Sequence, residues 1–189
     1  MQLRMKLAAA VVAGAASVAL AAGGPALASS HTSASRSVTG PEVIAGTVHG
    51  KAALAKAPKI PLTWVGLVRT RSVISLGGSG PHQGSVKTFL TPVGKFTVRV
   101  SSKPTHSQSF NHKTCRFSFT QDIPVAVVGS KSTGAFAGAS GPGAAQVSFA
   151  ANGPRFKSGP NKGKCNPKGK PIAKTAVANF LASAVLTLP

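Results

Sequence analysis

The chain has 189 residues and a lopsided charge: 22 lysines and arginines stand against two acidic residues, Glu42 and Asp122, for a formal net charge of +20 at pH 7. Two carboxylates nearly exclude chemistry that needs a spaced acid and base, as glycoside hydrolysis does, and they leave too few oxygen ligands for a calcium or magnesium site. A surface this basic is drawn to polyanions, whether nucleic acid, anionic lipid or an acidic wall polymer; the alternative is that the charge only keeps a weakly apolar protein in solution.

The N-terminus reads as an export signal. Arg4 and Lys6 precede an uncharged run from Leu7 to Ala22, Gly23-Gly24-Pro25 breaks that run, and Ala26-Leu27-Ala28 supplies small residues where a signal peptidase cuts. Residues 1–28 are therefore expected to form a signal peptide, with cleavage before Ser29 and a secreted, extracellular or wall-associated product. The run is too short and too alanine-rich for a membrane anchor, which takes about 20 strongly apolar residues. Loss of Arg4 and Lys6 leaves a mature net charge of +18. Residues 29–42, rich in Ser, Thr and Ala at their start, read as a flexible leader. Residues 43–189 are then the size of one domain with one core.

In that domain the apolar residues recur with period two, the spacing of extended backbone. Val43 to Ala55 alternates weakly, with Ile44, Val48, Ala52 and Leu54 on one face; Gly46 and Gly50 suggest bulges or close backbone approach. Ile60 to Val68 is a second strand, with Leu62, Trp64 and Val68 on one side and Thr63, Val65 and Leu67 on the other. Val73 to Leu76 is a short third strand, followed by a loop over 77–84. Ser85 to Leu90 and Lys95 to Val100 form a hairpin around Thr91-Pro92-Val93-Gly94, whose proline and glycine suit a type I turn. Residues 101–114 read as a polar loop carrying His106 and His112.

The longest element begins at Cys115. Cys115, Phe117, Phe119, Ile123, Val125 and Val127 share one face, and Arg116, Ser118, Thr120, Asp122 and Ala126 the other. Pro124 is expected at a bulge, because proline cannot donate to a strand ladder. A glycine-rich turn follows, with Phe136 between Gly134 and Gly138 and with Gly141 beyond. Ala144 to Ala151 is another strand, and Ala176 to Leu188 closes the chain with Ala178, Phe180, Ala182, Ala184, Leu186 and Leu188 on one face. About eight strands and no helical periodicity outside the signal predict an all-β fold, an antiparallel barrel with a sandwich as alternative.

Two cysteines in an exported chain predict a disulfide between Cys115 and Cys165. Without a CxxC element, a metal site built with His106 and His112 is the weaker reading, and no metal or cofactor is implied. Cys165 falls inside a loop over 153–174 that carries Arg155, Lys157, Lys162, Lys164, Lys168, Lys170 and Lys174 with glycine, proline and asparagine between them. These seven residues are the candidate polyanion-binding set, for an anionic wall polymer or a similar partner. Only Phe156 could stack on a base there, so specific nucleic-acid binding is not expected.

Ser132 to Gly141, STGAFAGASG, resembles the G-T-G-x-(F/Y)-x-G-A-x-G turn of the allene oxide cyclase and dirigent barrel superfamily. Together with Ile60–Gly66 and Cys115–Thr120, it is also similar to a group of exported actinobacterial proteins, over about two thirds of the mature chain. The resemblance implies a barrel and makes Gly134, Phe136, Gly138 and Gly141 structural: a phenylalanine between two glycines tucks under a turn that other residues resist. Ser132 departs from the pattern, standing where the superfamily has glycine. The superfamily's enzymes use polar and acidic groups inside the barrel; none of these aligns here, so no catalytic residue is carried over.

Nothing else marks an active site. The sequence lacks G-x-S-x-G, a glycine-lysine phosphate loop and H-E-x-x-H, and a triad through Asp122 would have no marked nucleophile. Trp64, Phe89, Phe96, Phe117, Phe119, Phe149 and Phe180 could line an apolar cavity, or simply fill the core. Three functions stay open. The first, and the preferred one, is a non-enzymatic exported barrel acting through its basic loop. The others are a carrier of a small apolar ligand and an isomerase.

Overall fold

A computed structural model describes residues 37–76 and 80–189; the stretch read as a signal peptide and most of the expected leader lie outside them. Among the described residues nine strands make one antiparallel sheet: β1 (Val38–His49), β2 (Lys59–Gly66), β3 (Arg71–Ser75), β4 (Val86–Thr91), β5 (Gly94–Val100), β6 (Thr105–Asn111), β7 (Arg116–Val127), β8 (Pro142–Asn152) and β9 (Val177–Leu188). Eight of them run in the order β3-β2-β1-β9-β8-β7-β5-β4 and curl into a nearly closed barrel. β3 and β4 are neighbours across the seam, yet no ladder joins them.

The expected inward faces follow the pleat. Ile44, Leu62, Trp64, Phe96, Phe180 and Leu186 are buried, while Val43, Thr63, Val65 and Leu181 face out. Strand direction defines two ends. The β2–β3, β4–β5 and β7–β8 connections lie at one end, and the β1–β2, β3–β4, β6–β7 and β8–β9 connections at the other.

The glycine turn plugs the first of these ends. Phe136 is 0% exposed and packs on Trp64 and Phe96, with ring centroids 5.4 and 5.1 Å away. Gly134 has φ +63°, and a Cβ there would sit 2.2 Å from the Val93 carbonyl oxygen on the β4–β5 turn. The glycine lets two turns touch directly over the plug. Ser132 is buried as well: its hydroxyl accepts from the Thr97 N–H and donates to the Val128 carbonyl. A glycine there could not satisfy that backbone donor.

Three expectations need correction. The first strand starts at Val38, inside the stretch read as leader, because residues 38–49 pair with β9 along their whole length. Gly40 and Pro41 carry no strand signal, and only the partner strand makes them extended. That strand also ends at His49, and a short 3₁₀ turn over Gly50–Ala52 replaces its expected tail. Finally, the polar loop at 101–114 contains β6, which is exposed throughout. A strand with no buried face shows no alternation to read.

β6 continues the course of β5 after a break at 101–104, so both pair with β7: β5 at residues 125–127 and β6 at 116–122. Pro124 stands at the changeover, where its missing N–H leaves no gap in either ladder. The β6–β7 hairpin therefore rises as one wall beyond the closed part of the barrel.

Candidate functional site

Among the described residues no such plug fills the second end of the barrel. A cavity of about 450 Å³ lies there, against the unpaired seam. β3 contributes Ile74, β4 Phe89, β5 Val98 and Val100, β7 Ile123 and β9 Phe180. A second cavity of about 320 Å³ adjoins it, bounded by the Ala53–Pro58 connection, Phe119 and Phe149; Leu76 and Val147 line both.

The interior is shaped by side-chain size. Toward the plugged end the space inside the wall is filled by Trp64, Phe89, Phe96 and Phe136 in edge-on and tilted contacts. On the cavity side β8 and β9 present small side chains, Ala145 on the larger cavity and Ala178 on the smaller. A void stays where the inward residues are small. Of the candidate lining aromatics, Phe89 and Phe180 border the larger cavity and Phe119 and Phe149 the smaller. Trp64 and Phe96 belong to the packed end. Phe117 lies on the rising wall, tilted against Phe149 at 6.5 Å.

The polar groups on the larger cavity are few: Ser75, Ser85, Lys87 and Gln121. Lys87 matters most. It pairs in register with inward Val98, two residues from inward Phe89, so its ammonium rises from the inner face at the mouth. The parity of β4 could have shown this from sequence, since Phe89 inside places Lys87 on the same face.

The basic loop is at this same end, between the ends of β8 and β9. Cys115 and Cys165 are disulfide-bonded, with Cα atoms 5.3 Å apart. Cys115 occupies the β6–β7 turn with φ +56°, so the bond ties the loop's middle to the tip of the rising wall. Lys157, Lys162, Lys164, Lys168 and Lys170 are exposed. Arg155 is engaged differently: its guanidinium donates to the carbonyls of Gly163 and Lys113, stitching the loop to the wall. Lys174 sits in a 3₁₀ turn (Ala173–Thr175) that packs against the Gly50–Ala52 turn. All six lysines of the loop are exposed, Lys174 included; Lys164 also reaches the Asn161 side-chain oxygen, and Arg155 is the candidate whose charged group the fold engages most.

One buried charge went unread in the sequence. Glu42, on β1, is 1% exposed. The Val68 N–H donates to its Oε2 at 3.0 Å, while Oε1 has no partner among the described residues. Burial pushes this carboxyl above its ordinary value, against the lowering effect of the backbone N–H groups of Val68 and Leu67. It sits toward the plugged end and borders neither cavity. Among the described residues no three histidine, cysteine or acidic side chains converge, and no helix is long and apolar enough to cross a membrane. Comparison with protein-family models, with curated proteins and with solved structures finds no match to this chain.

Proposed function

We propose that this protein is an exported, non-enzymatic barrel that holds a small apolar molecule at its open end. One observation carries this reading: about 450 Å³ of space walled by Ile74, Phe89, Val98, Val100, Ile123 and Phe180, within the volume range of small-molecule sites. It displaces the basic loop as the first place to look. The isomerase reading needs a proton-transfer group at the ligand. The described lining offers Lys87 but no histidine or carboxylate to work with it, and the raised carboxyl of Glu42 lies elsewhere. The resemblance to the allene oxide cyclase and dirigent superfamily bears on the barrel and not on this chemistry. The disulfide supports an oxidising, extracytoplasmic setting.

The test is titration with N-phenyl-1-naphthylamine, an apolar fluorophore that brightens when removed from water. Wild type should bind it saturably at one site. Val147→Trp, at a partly exposed position bordering both cavities, should fill the space and weaken binding at least tenfold with the thermal transition retained. No saturable binding, or equal binding in the folded variant, contradicts the reading.

A second reading keeps the anionic partner. It is supported by six exposed lysines in a loop that contains no acidic residue. Binding of this kind weakens steeply with salt, with a slope set by the number of contacts.

A further inference from the structure

The positive charge is distributed unevenly along the barrel axis. The connections at the open end carry Lys51, Lys56, Lys113 and the seven basic residues of the 153–174 loop, while those at the plugged end carry only Arg69 and Lys131. Neither carboxylate falls in any of these connections; Glu42 is buried on β1, and Asp122, on β7, accepts from Gln146. The open end is therefore a basic face.

Apolar groups stand out on the same face. Phe110, near the tip of the rising wall, is 37% exposed, and Ile172, in the basic loop, is 36% exposed. Phe110 faces Phe117 across the ladder, and its ring meets His112 edge-on at 4.9 Å. Behind them Phe117, Phe119 and Phe149 are only partly covered and lead toward the two cavities.

We infer that the open end docks onto an anionic lipid surface, from which the cavity takes up or to which it delivers its apolar ligand. The uptake clause rests on the ligand reading above; the docking clause does not. A soluble polyanion is satisfied by the lysines alone and gains nothing from exposed phenylalanine. A leaflet with anionic headgroups rewards both, since the cations meet the headgroups while apolar side chains enter the headgroup–acyl boundary. The geometry also solves a transfer problem, because a ligand insoluble in water could pass between membrane and barrel without crossing bulk solvent. Net charge disfavours a second copy of this chain as the occupant, since two such faces repel.

The test is co-sedimentation with vesicles of equimolar phosphatidylglycerol and phosphatidylcholine, against vesicles of phosphatidylcholine alone, with affinity for fluorescently labelled soluble polyphosphate measured alongside by anisotropy. Wild type should sediment with the mixed vesicles only, and less as salt rises. Each lysine near an anionic leaflet is worth about fivefold in affinity, so replacing Lys162, Lys164, Lys168 and Lys170 by glutamine should weaken vesicle binding by about 10²–10³-fold. Phe110→Ala should weaken vesicle binding by about tenfold and leave polyphosphate binding unchanged. Equal losses on vesicles and polyphosphate, or no effect of Phe110→Ala on vesicles, would overturn the lipid assignment in favour of an anionic polymer. Val147→Trp separates the two readings: it should keep vesicle binding while losing the fluorophore. If wild type binds vesicles but no fluorophore, the cavity reading fails alone. If it binds fluorophore but no vesicle, the docking fails alone.

Discussion

Phe136→Ala is the sharpest test of how the barrel is closed. The side chain has no exposed surface, and its ring lies 5.4 Å from Trp64 and 5.1 Å from Phe96. Truncating a buried phenylalanine costs about 3–5 kcal/mol, because the transfer energy and a residual cavity both count. The upper half of that range applies here. Two aromatic contacts are lost together, each worth about 0.5–1.5 kcal/mol beyond area, and the overlying turn cannot collapse into the gap. Its backbone is held by the Ala135 N–H on the Val93 carbonyl and the Thr133 N–H on the Lys95 carbonyl. For a domain of about 150 residues a loss of about 4 kcal/mol lowers Tm by about 8–16 °C. Urea unfolding followed by Trp64 fluorescence measures the free energy, and calorimetry the shift. Phe110→Ala is the matched control, since this ring is 37% exposed where Phe136 has no exposed surface, and it should cost clearly less, on the order of 1 kcal/mol. A Phe136→Ala loss no larger than that of the control would refute the plug.

Three further outcomes are expected. Gly134→Ala should cost more than 1 kcal/mol on the order of a strained turn, because its Cβ would meet the Val93 oxygen at 2.2 Å at positive φ; an unchanged urea midpoint would show that the two turns are not in contact. Cys165→Ser should lose about 4 kcal/mol, the chain-entropy value for a loop of 50 residues, and match the reduced wild type; a variant as stable as the oxidised protein would remove the bond's structural role. The third concerns pH. Burial holds Glu42 above its ordinary 4.5, so the folded state keeps a proton that the unfolded chain releases. That part of the stability is full below about pH 4.5 and is lost as pH rises through the folded value. Glu42→Gln should abolish this decline in urea titrations across the acid range, and identical slopes in the two proteins would contradict the assignment.

Alternation made most of the barrel legible: the faces of Leu62 and Trp64, of Ala145 to Phe149 and of Phe180 to Leu186 follow from parity once one side is buried. The seven-residue β6 escaped because burial writes the pattern and β6 has no buried side. Val38–Pro41 escaped because β9 dictates its extension. The Cys115–Cys165 pair was readable from its count, and the Phe136 plug from the glycines around it. The cavity was not readable. Whether Phe89 and Phe180 fill the barrel or border a void depends on how far apart facing alanines end up, and one chain's pattern does not encode that distance. Glu42 was hidden for a related reason: the Val68 amide that donates to it is 26 residues away.

The most direct measurement of the central claim is native mass spectrometry of the protein purified oxidised and without detergent, followed by identification of whatever leaves it on denaturation. The account predicts one small apolar species bound at one per chain in wild type, its occupancy sharply reduced in the folded Val147→Trp variant. A wild-type protein that carries nothing, and that also fails to bind N-phenyl-1-naphthylamine, would contradict it.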